Sequence, residues 1–220
     1  MFDGFTPEHL ALLRGAGVPA AWPRGGALMR QGEPADRAVL IETGVVKIVS
    51  ESANGYVSLL ALRGVHDLVG EFGCLDDTVR SASVVAMRPV HGFVISAPRF
   101  CALMEENGSL ALAILRSVIS RLRHADDQRA ALGSSTAVVR VAQVLLELSE
   151  RHGTPAPRWA PHARHLKLTQ QELASAAGTS RESVVRTLRE LHQHELVETA
   201  RGAIVVLDPA GLEWWEPEGD

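Results

Sequence analysis

Between Leu168 and Leu191 the chain reads LTQQELASAAGTSRESVVRTLREL, two stretches of helical periodicity parted by one glycine. Thr169 followed by Glu172 has the form of a capping box, and Leu173, Ala174 and Ala177 give the first stretch an apolar side. Gly178 ends that stretch, because a tight turn needs a residue that accepts positive φ at no steric cost. The small Ala174 lets a second helix cross closely, and Val184 packs back beneath both. The spacing predicts a helix-turn-helix. With Thr179 or Ser180 as N-cap, the second helix carries Arg181, Glu182 and Arg186 on its first two turns, the part that enters a major groove. The arginine fork matches the O6 and N7 acceptors of guanine, and a glutamate accepts from the N4 amino group of cytosine. Thr169, Thr179 and Ser180, at the two helix starts, complete this set of candidate DNA contacts. Val184, Val185, Leu188 and Leu191 recur at helical spacing and hold the helix to its core. The competing reading is a solvated face with an i, i+4 pair between Glu182 and Arg186.

The segment GTSRESVVRTLREL resembles the recognition helix of the CRP/FNR family of transcription regulators. Members that read a G-rich half-site carry Arg-Glu, three residues, then Arg, matched here by Arg181, Glu182 and Arg186. The resemblance implies a palindromic double-stranded DNA operator with half-sites similar to TGTGA. Upstream, the run VGEFGCLDDTVRSASV supplies Gly70, Glu71, Arg80 and Ser81, which resemble the phosphate cassette of the family's cyclic-nucleotide-binding β-roll. The chemistry is consistent with that. An anionic cyclic phosphate calls for a guanidinium and backbone amides, and a nearby carboxylate accepts the ribose 2′-hydroxyl proton. Arg80 and Glu71 suit those roles, against an alternative in which they pair with each other in a roll that binds nothing. With RQGEPADRAVLIETGVVKI added, the resemblance extends over roughly residues 20 to 210.

The fold implied is α+β: an N-terminal β-roll of jelly-roll type over residues 1–108, a long dimerisation helix and hinge over 109–134, and a C-terminal winged helix-turn-helix over 135–220. The residues agree with that order. Pro7 to Gly15 reads as a short helix. From Gly25 to about Ala97 short β-branched runs alternate with breaks, and Gly44 and Asn54-Gly55 look like hairpin turns. After Pro98 the period becomes helical, and from Ser109 no Gly or Pro intervenes until Gly133, predicting a helix of roughly 24 residues. Leu115, Ile119 and Leu122 follow the spacing of a coiled-coil seam, so a parallel homodimer through 109–132 is expected, a palindrome needing a two-fold partner. The alternative is a helix packed only on its own roll. Continued, the seam reaches Asp126 and Arg129, where the family's helix meets the nucleotide base.

There the chain departs from its relatives. Cyclic-AMP-responsive members have Thr-Ser or Thr-Asn at the adenine; here the pair is Ala125-Asp126. The threonine hydroxyl is lost, and Asp126 adds an acceptor that prefers an amino group. Three outcomes stand: cyclic AMP with altered contacts, which is favoured; cyclic GMP or another cyclic nucleotide; or a vestigial cassette in a regulator that binds DNA without nucleotide. Gly133-Ser134-Ser135 is expected to break the helix as the hinge. Thr136 to His152 should form a helix with Val139, Ala142, Leu145, Leu146 and Ser149 inward, followed by the Pro-rich loop GTPAPRWAPHARHL. LVETARGAIVVLDPAGL then reads as two strands about Arg201-Gly202, a wing whose Arg201 is either a phosphate contact or a solvated turn arginine. Trp214 and Trp215 are expected to anchor the end of the chain.

At 220 residues and 46% hydrophobic, the chain can bury two modest cores. No apolar run reaches a membrane span and MFDGFTPEHL lacks signal-peptide order, so a cytoplasmic protein is expected. Two cysteines are too few for a disulfide framework or an iron–sulfur cluster. Cys74 reads as a packed core thiol rather than, with His66, a haem ligand. His152, His162 and His165 lack cysteine or carboxylate companions, so no metal is expected. Asp76-Asp77 and Glu105-Glu106 read as solvated turn charges, and no ordered nucleophile or catalytic carboxylate pair suggests an enzyme. The net charge is −4, yet from Pro161 to Arg189 five cations face two carboxylates, enough for a basic face toward phosphates. A nucleotide-sensing module that controls a partner enzyme would leave Arg181, Glu182 and Arg186 without a task. Were the protein an activator, RNA polymerase would be a further partner, though no motif for that contact stands out.

Overall fold

The computed structural model describes residues 4–76, 78–215 and 217. Asp77, one of the expected turn charges, lies outside them. The chain divides into two compact units, Met1–Val57 with Ala61–Asp127, and Gln128–Asp220 with Ser58–Leu60.

The first unit opens with α1 (Pro7–Ala16), which starts on a capping box between Thr6 and His9 and runs through Gly15 to a cap at Gly17. Then come β1 (Val18–Trp22), β2 (Ala27–Met29), β3 (Arg37–Thr43), β4 (Val46–Glu51), β5 (Val57–Arg63) and β6 (Leu68–Val69). After them stand α2 (Glu71–Asp76), β7 (Ser83–Ala86), β8 (Val90–Ser96) and α3 (Ala97–Glu106). Two four-stranded sheets result, in the orders β1-β8-β3-β6 and β2-β7-β4-β5, with the β1-β8, β8-β3, β3-β6, β2-β7 and β7-β4 pairs antiparallel. This is the expected roll, with β1 added ahead of the expected start at Gly25. Gly44, at φ +96, turns β3 into β4, and Gly55, at φ +80, sits in the turn before β5.

The unbroken apolar run of β3 is explained by its two covered faces. Ala38 and Leu40 point into a core built with Leu10 and Leu13 of α1 and Phe100 and Leu103 of α3. Val39 and Ile41 point the other way, into the space between the sheets with Leu28, Met29, Val46 and Val84. Each such side chain taken fully out of water contributes about 1.5–3 kcal/mol. Cys74 lies in the first of these cores, a packed thiol as expected. Glu105 and Glu106 are exposed, but on the last turn of α3 rather than in a turn, and Glu106 meets Arg99 at 3.6 Å.

Helix α4 (Gly108–Ser134) has 27 residues. Its first turns pack on the roll through Leu110, Ala113 and Ile114, while Leu115, Ile119 and Leu122 are 53%, 39% and 58% exposed. The helix therefore has both a roll face and a bare apolar stripe. The expected break at Gly133 is corrected: Gly133 is helical, with open space where a Cβ would stand, and the chain leaves the helix at Ser135 and Thr136.

In the second unit Thr136 caps α5 (Ala137–His152), which buries Val141, Ala142, Leu145 and Ser149. Val139 and Leu146 are only half-buried, because the inward stripe runs through Val141 instead. The Pro-rich stretch is more ordered than expected. Its ends form β9 (Thr154–Pro155) and β10 (Arg164–Leu166), which pair with each other. Then come α6 (Gln170–Ala176), α7 (Arg181–Gln193), β11 (Val197–Ala200), β12 (Ala203–Val206) and α8 (Pro209–Glu213). The sheet order β11-β12-β10-β9 makes the wing a hairpin on a small sheet. Trp215 meets the His194 ring edge-on at 6.5 Å, but Trp214 is 81% exposed and anchors nothing. No helix among the described residues is long and apolar enough to cross a membrane.

Because Gly133 is helical with free space around its Cα, Gly133→Ala is expected to stabilise the protein by about 0.5–1 kcal/mol. A higher Tm in calorimetry would bear this out; a lower one would restore a bend at that position.

Candidate functional site

In the first unit the candidate residues gather where β6 passes into α2. Gly70 has φ +83, and a Cβ there would lie 2.4 Å from Met29 Cε and 2.8 Å from Arg80 Nη1. Only glycine admits both the turn and that approach. Arg80 is 5% exposed: Nη1 donates to the Gly70 carbonyl at 2.7 Å, Nη2 donates to the Arg37 carbonyl and stands 3.6 Å from Asp36, and Nε is buried without a hydrogen-bond partner. Glu71, the first residue of α2, is 4% exposed. It does not pair with Arg80. Its carboxylate accepts from Arg121 Nη1, and Arg121 Nη2 donates to the Leu68 carbonyl at 3.1 Å.

Burial pushes the Glu71 carboxyl above the usual carboxylate range, opposed chiefly by the Arg121 charge. Burial likewise pushes the Cys74 thiol up, with Arg80 opposing. Ser81 is exposed in the bend after Arg80. Further along α4, Ala125 is half-buried and Asp126 exposed.

In the second unit the recognition elements follow the sequence reading closely. Thr169 and Glu172 form the capping box: Thr169 Oγ1 accepts from the Glu172 amide at 3.2 Å, and Glu172 Oε2 accepts from the Thr169 amide at 2.9 Å. Leu173 and Ala174 are fully buried, and Gly178 turns the chain at φ +57. The Thr179 amide donates back to the Ala174 carbonyl at 3.0 Å, so the N-cap of α7 is Ser180, whose Oγ accepts from the Ser183 amide at 3.1 Å. Val184, Thr187, Leu188 and Leu191 form the buried side of α7. Thr187 went unnoticed in the sequence because its hydroxyl is satisfied locally, by the Ser183 carbonyl at 2.9 Å.

Arg181, Glu182, Arg186 and Arg189 are exposed on the opposite side. No ion pair joins Glu182 to Arg186 among the described residues, so the i, i+4 pair of the competing reading is not formed. Its own backbone amide and the Ser180 side chain hold the Glu182 carboxyl below the usual range, keeping it an acceptor. Arg201 is exposed at the tip of the wing. A cleft of about 300 Å³ lies between these parts, lined by Thr169, Gln170, Gln171, Arg181, Thr199 and Gly202 among others. Gln170, Gln171 and Thr199 have no motif that sequence reasoning could use. Among the described residues no group of three or more His, Cys, Asp or Glu could hold a metal ion.

Known proteins resemble both halves of the chain. Residues 20–107 match the cyclic nucleotide-binding domain family and residues 139–214 the Crp-like helix-turn-helix domain family. The cyclic AMP receptor protein of Thermus thermophilus is 30% identical over 213 residues, covering 97% of this chain and 94% of that protein. The chain belongs to the CRP/FNR family. The CRP-like cAMP-activated global transcriptional regulator of Mycobacterium tuberculosis is 29% identical over 212 residues, covering 96% and 94% of the two chains. Among solved structures, the c-di-GMP-responsive global regulator CLP of Xanthomonas campestris has a TM-score of 0.78 at 21% identity, over 92% of this chain and all of that one, a likeness of fold. This chain is thus a DNA-binding regulator of the CRP/FNR type with a cyclic nucleotide-binding domain. Arg121 is the member of the roll's charge cluster that sequence reading missed, because fifty residues of sequence separate it from Glu71.

A carboxyl raised above its unfolded value contributes most to stability below the unfolded value and loses that contribution as pH rises through the folded one. The Tm of the native protein minus that of Glu71→Gln should therefore fall between acidic and neutral pH. A difference that grows over that range would contradict the burial reading of Glu71.

Proposed function

We propose that the protein is a homodimeric transcription regulator that reads TGTGA-like palindromic half-sites under the control of a cyclic nucleotide, cyclic AMP being favoured. The observation that carries the reading is the two-sided α7: its apolar side is buried, while Arg181, Glu182 and Arg186 stand exposed on its first two turns. Arg181 and Arg186 pair with guanine edges and Glu182 with a cytosine amino group. Thr169, Thr179, Ser180 and Arg201 flank them toward the backbone. The bare stripe of Leu115, Ile119 and Leu122 on α4 supports a two-fold partner, which a palindrome requires. The domain limits proposed are 1–108, 109–134 and 135–220, with α4 as the dimerisation helix.

In the roll, Arg80 and Ser81 face the cyclic phosphate beside Gly70, Glu71 takes the ribose hydroxyl, and Ala125 and Asp126 meet the base. A guanidinium as deeply buried as that of Arg80, beside the left-handed turn at Gly70, supports an anion there. The names of the relatives in Thermus and Mycobacterium favour cyclic AMP, whereas the acceptor at Asp126 leaves room for cyclic GMP. One observation favours a second reading, a regulator that acts without nucleotide: both η nitrogens of Arg80 and the Glu71 carboxylate are already engaged within the protein.

The test is fluorescence anisotropy of a labelled TGTGA palindrome at fixed, stated salt, without nucleotide and with cyclic AMP or cyclic GMP. One nucleotide should tighten specific binding, Arg80→Gln should remove that effect, and Arg186→Ala should weaken specific binding by about 1–3 kcal/mol. Equal tight binding in every condition would favour the nucleotide-free reading, and no preference for the palindrome would overturn the half-site assignment.

A further inference from the structure

Arg140 lies on the first turn of α5, and its guanidinium donates only to backbone carbonyls at the ends of other helices. Nη1 reaches the Ser135 carbonyl at 2.6 Å, just past the end of α4. Nε reaches the Ala177 carbonyl at 3.1 Å and Nη2 the Gly178 carbonyl at 3.3 Å, both past the end of α6. The last carbonyls of a helix lack intrahelical donors and carry partial negative charge, so a cation placed there both satisfies and stabilises them. One planar fork here serves two such ends at once. Lysine, with a single compact ammonium, cannot span both sets.

The packing beside it repeats the connection. A Cβ on Gly178 would lie 2.5 Å from Leu132 Cδ2, so the last turns of α4 rest against the bare Cα of the turn that precedes α7. Gly178 is thus required twice, for its φ of +57 and for this approach. Ser180, the N-cap of α7, follows two residues later, so whatever holds Gly178 also fixes where α7 begins.

We propose that Arg140 is a positioning residue for DNA reading: it clamps the α6–α7 turn to the joint between α4 and α5, and thereby sets the direction in which Arg181, Glu182 and Arg186 project. The DNA part of this inference rests on the proposed function; the clamp itself does not. Movement at the end of α4 then reaches the recognition helix through Arg140 and Leu132 rather than through a flexible link.

The variant to make is Arg140→Lys, which keeps the charge and removes the fork. Two readouts are taken on the full-length protein. In native-state hydrogen exchange, the Gly178 and Thr179 amides, which donate to the Ser175 and Ala174 carbonyls, should exchange about tenfold faster while those of Val184 and Leu188 are unchanged. In DNA binding at one salt concentration, the ratio of palindrome to scrambled-duplex affinity should fall about tenfold, comparable to losing one good base contact, with scrambled-duplex affinity unchanged. Uniform acceleration across α5 to α7, or none at Gly178 and Thr179, would overturn the clamp. A selectivity ratio that holds despite faster local exchange would overturn the positioning role. If Arg140→Lys does not fold, Leu132→Ala, at a half-exposed side chain that touches the same turn, replaces it with the same two expectations. A native protein that does not prefer the palindrome would count against the half-site reading alone, since the exchange measurement still decides the clamp.

Discussion

A guanidinium and a carboxylate, Arg80 and Glu71, are both almost completely withdrawn from water within the same roll. Charges in that position cost several kcal/mol each unless the surrounding chain supplies partners. Much of the first unit is arranged to do so. Gly70 gives up its side chain so that Arg80 can reach its carbonyl, and β3 offers the Arg37 carbonyl to the same group. Glu71 draws its partner from far along the chain, since Arg121 stands on α4. Arg121 also holds the Leu68 carbonyl, and its guanidinium lies 6.0 Å from the Phe72 ring centre. The rotational setting of α4 on the roll is therefore fixed by charge as well as by Leu110 and Ile114. A rotation that broke the Arg121 contact would leave a buried carboxylate alone, and the same setting leaves Leu115, Ile119 and Leu122 facing outward.

The second unit is governed by close approach rather than by buried charge. Ala174 and Gly178 bring α6 and α7 together, the Thr169 and Ser180 caps start both helices, and Arg140 satisfies the carbonyls that α6 leaves open. With Ser180 and His194 as its caps and its apolar side buried, α7 leaves Arg181 and Arg186 exposed, while Glu182 also meets its own amide at the helix start. Side chains that a fold does not use are free for a ligand, and on this helix they are the types that read base edges.

Much of this was legible in the sequence wherever the cause is local. The capping box at Thr169, the left-handed turn at Gly178, the hairpin at Gly44 and the wing about Gly202 all follow from residue types and short spacings. What stayed hidden depends on distant partners. Nothing near Glu71 announces Arg121, and nothing near Arg140 announces two helix ends. The break expected at Gly133 failed because a single glycine lowers helix propensity by only about 1 kcal/mol, which does not by itself end a helix, so α4 continues to Ser134. The Pro-rich stretch hid β9 and β10 because its strands are two and three residues long, too short to show a period. Trp214 shows that apolar character alone does not bury a side chain.

If the roll and the recognition helix are parts of one switch, their ligands must be coupled, and the coupling must be reciprocal. The direct measurement is the affinity of the full-length protein for cyclic AMP by titration calorimetry, once alone and once saturated with the palindromic duplex. The operator is expected to tighten nucleotide binding by the same factor by which the nucleotide tightens operator binding. A nucleotide affinity that is measurable yet indifferent to operator DNA would contradict it, leaving a cassette and a DNA reader that share a chain but no switch.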